Sequence, residues 1–269
     1  MLVHVLGTSA NMTKLMQIAK KYKIDIIEDT CESLGAKYNN KQLGTFGRFG
    51  TYSFYYSHQI TSGEGGMILC NDLNDYNVLK SLRSHGWSRD TNLHANFKKK
   101  FNNLDERFLF IGPGYNVRPT EIQSAIALNQ FKRLNQFIKI RNINRNKIIN
   151  NLKKNDKWKN QFSFVEVKSN FKPSWFGLPI LINEKYSYVK KEFLNYLSKK
   201  GIENRPIISG NFLNQPASTF YNFKSTKNDF KNADEIEERG FFIGLHTKNI
   251  KEVEIKYIIS CLLDIDKFK

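Results

Sequence analysis

Short apolar runs alternate with one amphipathic stretch in the N-terminal part of the chain. The runs at residues 3–6 and 24–27 predict two buried strands, and apolar residues recur at helical spacing within Met12–Tyr22. A strand, a helix and a strand in this order predict a right-handed parallel crossover. Functional groups are expected just beyond the carboxyl ends of such strands. Glu28 and Asp29 occupy that position.

The same alternation continues up to a polar stretch. Apolar runs at residues 51–56 and 67–70 flank a turn-rich loop at residues 57–66, and a helix is predicted at residues 76–85. Residues 91–107 are polar and have no clear periodicity. We therefore predict a loop there.

A long helix is predicted to connect two domains. Pro119 follows a turn-forming string at residues 112–116 and stands where a helix favours proline as its first residue. The helix should continue, with or without a kink, toward Leu152. The C-terminal part predicts a smaller α+β domain from an apolar run, a helix, a strand and a terminal helix, at residues 175–182, 189–199, 202–208 and 253–263. The pattern thus predicts an α/β protein with one domain at residues 1–134 and a connector helix with a small domain at residues 135–269.

Composition excludes several classes of protein. With 40% hydrophobic residues, 21 Phe and 12 Tyr, the chain is too apolar to be disordered, and no run of about 18 apolar residues predicts a membrane span. The N-terminus has no signal-peptide pattern, and three cysteines cannot all pair within one chain. A reducing cytoplasm is therefore the expected location.

The net charge of +17 suggests a polyanionic partner. Of the 42 basic residues, however, 32 are Lys and only 10 are Arg, the residue best shaped to recognise phosphate or guanine. The lysines are scattered, and the one tight cluster, residues 98–100, falls in the predicted loop. We expect a solvated basic surface and no specific nucleic acid.

An acidic segment follows the second predicted strand. Glu28, Asp29 and Glu32 place three carboxylates within five residues. A carboxylate at a strand end can pair with a cationic ring or a metal ion. The same residue types are also favoured at a helix N-terminus, where free N–H groups and the dipole attract them. The residues alone leave both interpretations open.

The loop at residues 53–66 combines hydroxyl groups and glycines. Ser53, Ser57 and the glycines form a small-residue segment that could closely approach a phosphate. His58 stands in its middle. A lone histidine is more often a packed or surface residue, but a polar turn after a buried strand commonly carries acid/base groups.

Several stretches together resemble the sugar aminotransferase family. They follow the family's order along nearly the whole chain: residues 26–36, 44–47, 53–66, 83–87 and 114–119. Residues 174–177 and 201–212 resemble the C-terminal domain of the dehydratase branch of the same family. The resemblance implies the pyridoxal phosphate-dependent transferase fold of type I, an α/β fold. It also implies a partial large domain with a mixed, mostly parallel sheet and a smaller α+β C-terminal domain.

In this family the loop at residues 53–66 normally holds a Lys that forms a Schiff base with the cofactor. Here the position is His58. An imidazole cannot form that imine, so the resemblance implies the dehydratase branch, which works with pyridoxal and pyridoxamine 5'-phosphate. The implied reaction is 3-dehydration of a nucleotide-linked 4-keto-6-deoxyhexose, GDP-mannose-derived, with glutamate as amino donor, in deoxysugar or surface polysaccharide biosynthesis. His58 would be the catalytic base and acid.

The resemblance also implies contacts for other residues. Asp29 matches the carboxylate on the pyridine nitrogen, Ser53 a hydroxyl on the cofactor phosphate, and Glu32 a carboxylate near the ring. Asn116 matches a residue that reaches the phosphate in the partner subunit, which implies a homodimer with shared active sites. The implied substrate-binding residues are Ser57, His85, Arg118 and Arg205.

Alternatives remain for several of these positions. Asn116 could be a left-handed turn residue and Arg118 a surface charge. A related branch carries an iron–sulfur cluster, which usually needs four thiolates. Cys31, Cys70 and Cys261 are three and widely spaced, so we expect no metal. An aminotransferase that has lost its Lys is the alternative activity.

The resemblance begins well inside the family's large domain, because residues 1–7 resemble an internal strand and turn. It implies that an N-terminal segment, on the order of a hundred residues, is missing. A truncated gene, one half of a split gene and a degenerate copy acting as an inactive partner subunit are all open. An exposed sheet edge and uncovered apolar surface are then expected.

Overall fold

The computed structural model describes residues 1–223 and 227–268. The chain divides into two units. The first comprises Met1–Val5 and Ser9–Leu134, and the second comprises Leu6–Thr8 and Asn135–Lys269. Each unit contains its own four-stranded sheet.

The first unit combines a four-stranded sheet, a short hairpin and four helices. Its strands are β1 (Leu2–Val3), β2 (Ile27–Asp29), β3 (Lys37–Tyr38), β4 (Lys41–Gln42), β5 (Phe49–Ser53) and β6 (Gly66–Cys70). Its helices are α1 (Met12–Tyr22), α2 (Leu73–Leu82), α3 (His94–Lys100) and α4 (Glu121–Phe131). A single 3-10 turn occurs at Glu106–Phe108, and another at Val5–Gly7, whose last two residues belong to the second unit.

The sheet of the first unit has the order β1-β2-β5-β6. Strand β2 pairs in parallel with β1 on one side and with β5 on the other, whereas β5 and β6 are antiparallel. The predicted parallel pairing of the first two strands is confirmed. The helix between them is also confirmed at both ends. Asn11 caps its N-terminus by accepting from the Lys14 N–H at 3.1 Å, and Lys23 ends it in a left-handed conformation.

Both strands of this crossover are shifted from the predicted positions, and each shares only one residue with its apolar run. β1 ends at Val3 because the chain turns into a 3-10 helix, in which buried Leu6 has a φ of 53°. Residue 24 does not start β2, because the Ile24 N–H donates to Ala19 O at the end of α1, at 2.9 Å. Glu28 and Asp29 therefore lie within β2 and not beyond it.

The predicted loop at residues 91–107 is partly wrong, because it contains α3. No residue of this helix is buried, so no apolar period marks it in the sequence. Residues 98–100 form its last turn, and Lys98 pairs with Glu106. The helix instead stacks Phe97 on Phe101, with ring centroids 6.2 Å apart.

Pro119 does not start a helix. Thr120 is the N-cap of α4 and forms a capping box with Gln123, so the first helical residue is Glu121. The connector is broken after Phe131, and α5 begins at Leu134. Helix α2 also starts earlier than predicted, because Asp72 caps it by accepting from two backbone N–H groups.

The second unit is an α+β arrangement. Its strands are β7 (Phe162–Phe164), β8 (Phe171–Lys172), β9 (Gly177–Ile182), β10 (Asn204–Arg205) and β11 (Gly240–Gly244). Its helices are α5 (Leu134–Lys153), α6 (Lys190–Lys199), α7 (Lys231–Arg239) and α8 (Glu252–Leu263). Further 3-10 turns occur at Glu184–Val189, Phe212–Asn214, Pro216–Phe220, Lys227–Phe230 and Asp264–Phe268.

An antiparallel sheet in the order β10-β11-β9-β7 forms the centre of this unit. Its core is apolar and fully buried, with Trp175, Leu178, Ile180, Phe193, Phe241 and Leu262 among its members. The terminal helix is confirmed as α8. The predicted strand at residues 202–208 is wrong in length, because only β10 is extended, and β11 was not predicted.

Apolar side chains remain exposed in the first unit. Strand β6 stands last in the order of the described sheet, and Met67, Ile68 and Leu69 on it are 51%, 51% and 37% exposed. Helix α4 buries none of its residues, and Ile122 is 74% exposed. None of the helices in the described part of the chain combines the length and apolar character that crossing a membrane requires.

Candidate active site

Asp29 closes the central strand β2 and is half-buried. Parallel neighbours on both sides fix its backbone, and its carbonyl accepts from the His4 N–H at 2.9 Å. Its Oδ1 accepts from the Cys31 N–H at 3.1 Å, which orients the carboxylate. An acidic group is thus held at the carboxyl end of parallel strands, where ligands commonly bind in open α/β sheets.

Glu28 is fully buried and does not join Asp29 and Glu32 in a cluster. Its Oε1 accepts from the N–H groups of Phe46 and Gly47 at 2.6 and 2.7 Å. Its Oε2 accepts from the Gly44 N–H at 2.8 Å and contacts His4 Nε2 at 3.1 Å. The helix N-terminus considered for this segment is wrong, since residues 31–32 and 34–35 form turns.

Burial raises the pKa of Glu28, because a carboxylate loses its hydration. The hydrogen bonds from His4 and from the backbone of Gly47, Gly44 and Phe46 outweigh it, and the pKa lies below the ordinary value. Glu28 is therefore an ionised internal anchor. No sequence pattern marks this role, because three of its four partners are backbone N–H groups.

His58 lies in the turn after β5 and is half-buried. Its backbone N–H donates to Tyr55 O at 3.1 Å, and its ring packs edge-on against Tyr55 with centroids 5.7 Å apart. Burial lowers the pKa of His58, against the opposing effects of a hydrogen bond to the Ser53 backbone and the charge of Asp29. A neutral imidazole at neutral pH can accept a proton.

Two hydroxyl groups accompany this histidine. Ser53 is the last residue of β5, and its Oγ accepts from the Tyr55 N–H at 3.2 Å. Ser57 precedes His58 and is half-buried. The loop then folds back on β5, because Phe54 accepts from the Ser62 N–H and donates to Gly65 O.

Glu32 is tied to the same loop through its backbone. The side-chain amide of Gln59, itself 2% exposed, donates to Glu32 O. This bond joins the turn after Asp29 to the turn that carries His58. Gln59 was not predicted, and its residue type gives no hint of this contact.

A second group of predicted residues surrounds Trp87. Asn116 bridges to Ser84 in an antiparallel arrangement and is absent from the residues with positive φ, so its interpretation as a left-handed turn residue is wrong. His85 has a φ of 61° and donates its N–H to Tyr115 O at 2.7 Å. Its ring lies 4.8 Å from that of Trp87.

Two guanidinium groups also stack on Trp87. Arg118 lies 5.6 Å from the ring centroid, and Arg89, which was not predicted, lies 3.8 Å from it. Arg118 is exposed, which is compatible with a surface charge as well as with an anion-binding role. Arg205 belongs to the second unit, on β10, and forms an ion pair with Glu203 at 2.7 Å.

The three cysteines are free thiols, and Cys31 is half-buried. Burial, together with the neighbouring Asp29, raises the pKa of the Cys31 thiol to about 12, so it is not a thiolate at neutral pH. Within the described residues, no group of three His, Cys, Asp or Glu side chains could hold a metal ion.

The donors of the first unit fit a phosphorylated cationic ring. Asp29 has a fixed carboxylate that can pair with a ring nitrogen, and Ser53 and Ser57 have hydroxyl groups next to a backbone turn. In that turn Gly65 has a φ of 156°, and a Cβ on it would lie 2.6 Å from Ser62 Oγ. The segment therefore keeps its backbone bare, as close approach to a phosphate requires.

Fold and site together define an α/β protein whose polar groups gather where parallel strands end. A model of the DegT/DnrJ/EryC1/StrS aminotransferase family matches residues 1–263. The chain belongs to this family, and the predicted family and fold class are confirmed.

Two known proteins and one solved structure are particularly similar. GDP-4-keto-6-deoxy-D-mannose 3-dehydratase of Escherichia coli O55:H7 is 36% identical over 97% of this chain and 66% of its own length. The protein of the same name from Yersinia pseudotuberculosis is 34% identical over 97% of this chain and 65% of its length. The solved E. coli enzyme with bound hydrated PLP has a TM-score of 0.84 at 34% identity, over 97% of this chain and 66% of that one. This chain thus spans slightly less than two thirds of these relatives.

Proposed function

We propose that the protein is a pyridoxal/pyridoxamine 5'-phosphate-dependent 3-dehydratase of a nucleotide-linked 4-keto-6-deoxyhexose, GDP-4-keto-6-deoxymannose, with glutamate as amino donor. The observation that carries the proposal is His58, which occupies the loop position where this family normally has Lys. The identity of 36% to a 3-dehydratase supports it. The product would serve deoxysugar or surface polysaccharide biosynthesis in the cytoplasm.

The cofactor, when bound, supplies a cationic ring that accepts electrons from the reacting carbon. Asp29 keeps the ring nitrogen protonated, and its hydrogen bond from the Cys31 N–H holds the carboxylate in place. Ser53 binds the phosphate, and Glu32 lies near the ring on the turn that Gln59 fixes. Asn116 binds the phosphate in the partner subunit.

His58 moves the proton. Because burial lowers the pKa of His58, the imidazole is neutral near pH 7 and accepts a proton as a base. The imidazolium then donates that proton to the departing 3-hydroxyl oxygen. Having no primary amine, His58 would form no covalent bond with the cofactor and would leave it free to dissociate.

Substrate binding is assigned to Ser57, His85, Arg118 and Arg205. The two arginines present guanidinium groups whose planar fork suits the diphosphate and carboxylate anions of the substrates. We further propose that residues 1–134 are the partial large cofactor-binding domain and that residues 135–269 contain the connector helix and the small domain. The protein would work as a homodimer with shared active sites, or with an N-terminal segment as partner.

Product analysis tests this function. The purified protein, alone and with the N-terminal segment of a relative added, is incubated with GDP-4-keto-6-deoxymannose, pyridoxal phosphate and glutamate. We expect a 3-deoxy-4-keto sugar and ammonia by NMR and mass spectrometry. An aminated sugar without 3-deoxy product would establish an aminotransferase instead. Absence of cofactor absorbance, with co-purification of a full-length relative, would establish an inactive partner subunit.

A further inference from the structure

Two consecutive carboxylates on β2 have opposite surroundings. Side chains alternate between the two faces of a strand, so Glu28 and Asp29 point away from each other. Glu28 is 0% exposed and saturated with donors, whereas Asp29 is half-buried on the side proposed to bind the cofactor. The contacts that hold the Glu28 side chain therefore also hold the strand from which the Asp29 side chain projects.

The loop at residues 44–47 wraps around the Glu28 carboxylate. Three of its N–H groups point at the two oxygens, at 2.6 to 2.8 Å. The loop can approach so closely because two of its residues are glycines. A Cβ on Gly44 would lie 2.3 Å from Tyr52 Oη, and one on Gly47 would lie 2.3 Å from Ile26 O. The loop thus acts as a rigid receptor for one internal anion.

His4 connects Glu28 directly to Asp29. Its Nε2 contacts Glu28 Oε2 at 3.1 Å, and its backbone N–H donates to Asp29 O at 2.9 Å. Its own carbonyl accepts from Ser33 Oγ at 2.6 Å, so the residue is held on three sides. The side chain of Glu28 is thereby coupled to the main chain of Asp29 through one residue.

We propose that Glu28 is a positioning residue of the active site: with His4 and the 44–47 loop it holds the end of β2 so that the Asp29 carboxylate is aimed at the cofactor ring. The effect of Glu28 on cofactor binding rests on the proposed function, whereas the coupling between Glu28 and Asp29 does not. Glu28 touches neither cofactor nor substrate in this role.

Glu28→Gln is the informative variant because it keeps the shape and removes the charge. Whichever way the amide turns, its NH2 group meets at least one backbone N–H, so donor faces donor. Tyr52→Phe is the matched control. It removes the hydrogen bond that Tyr52 Oη donates to Leu43 O at 2.5 Å, next to the loop, and leaves the backbone hydrogen bonds to the Glu28 carboxylate in place. His4→Phe serves if Glu28→Gln does not fold.

Two measurements separate positioning from stability. In amide hydrogen exchange, Glu28→Gln or His4→Phe should accelerate exchange in the peptide at residues 26–33 by about tenfold, as expected for loss of a charged hydrogen bond. Tyr52→Phe should leave that peptide unchanged. Cofactor titration by absorbance should show that Glu28→Gln weakens cofactor affinity by about tenfold to a hundredfold, the loss that is typical when a hydrogen-bonding partner of a metal-binding side chain is removed. Tyr52→Phe should leave the affinity unchanged.

Equal effects of Glu28→Gln and Tyr52→Phe on exchange at residues 26–33 would overturn the proposal, as would unaltered cofactor affinity in Glu28→Gln. If the unmodified protein binds no cofactor, the proposed function fails, and the exchange measurement still decides whether Glu28 holds Asp29.

Discussion

The charge of Asp29 acts on the imidazole of His58, raising a pKa that burial lowers. The two residues come from different strands, one at the end of β2 and the other in the turn after β5. Their electrostatic coupling links the group proposed to hold the cofactor ring to the group proposed to move the proton. The pKa of His58 therefore depends on the negative charge at position 29.

Replacing Asp29 should change the titration of His58. In Asp29→Asn the negative charge that favours the imidazolium is lost, so the pKa of His58 should fall further. The measurement is an NMR pH titration of labelled histidine. Asp105→Asn is the control, since Asp105 pairs with Arg107 on an exposed turn. A rise in the pKa of His58 in Asp29→Asn would contradict the coupling.

Replacing His58 should separate binding from chemistry. His58→Asn removes the proton acceptor but keeps a polar side chain of similar size, so we expect loss of turnover by about a hundredfold or more. Cofactor absorbance should be retained, because Asp29 and Ser53 are untouched. A single-turnover assay together with a cofactor titration provides both values. Full activity of the variant would show that another group moves the proton.

Acid should destabilise the first unit through Glu28. The pKa of Glu28 in the folded protein lies below the ordinary value of 4.5, so between these two values the unfolded chain binds more protons. The stability that Glu28 contributes is therefore present above pH 4.5 and is lost as the pH falls through the folded-state pKa. Urea unfolding at several pH values checks this.

A matched pair of substitutions isolates the contribution of Glu28 to the acid sensitivity of the fold. Glu28→Gln should lower stability at pH 7 and flatten its dependence on pH below 4.5. Glu64→Gln alters an exposed carboxylate and should leave the dependence unchanged. A dependence on pH that is the same in Glu28→Gln as in the unmodified protein would mean that other carboxylates cause the acid loss.

The 44–47 loop should not tolerate a methyl group. A Cβ on Gly47 would lie 2.3 Å from Ile26 O, a backbone atom that cannot move away without disturbing β2. Gly47→Ala should therefore reduce the free energy of unfolding by about 2 kcal/mol. At Gly244 a Cβ would meet no atom of the described residues within 4 Å, so Gly244→Ala should be close to neutral. Equal urea midpoints for the two variants would contradict this account.

Prediction from sequence succeeded best where local signals and burial agree. Helix α1 was predicted at both ends because its apolar residues recur at helical spacing within Met12–Tyr22. The resemblance selects His58 and Asp29 as site residues through motif order, which periodicity alone would not have done, and their roles stay predictions. By contrast, α3 was missed because a helix without a buried face leaves no apolar period.

Other features depend on contacts between segments distant in the sequence. Glu28 looked like one of three equivalent carboxylates, and only its bonds to residues 44–47 distinguish it from Asp29. Gln59 fixes Glu32 across 27 residues through a backbone carbonyl, which no residue type reveals. Arg89 and Arg118 both lie over the ring of Trp87, although Arg118 is far from Trp87 in the sequence.

The loop that surrounds Glu28 restricts substitutions at some of its positions more than at others. Its bonds come from backbone amides, so side chains between the two glycines, such as that of Phe46, can be replaced without losing them. Replacing Glu28 leaves three backbone N–H groups without their acceptor, and no single substitution in the loop restores that acceptor. Among related sequences, substitutions in this loop should therefore be confined to positions 45 and 46. Glu28, Gly44 and Gly47 should be retained together or lost together.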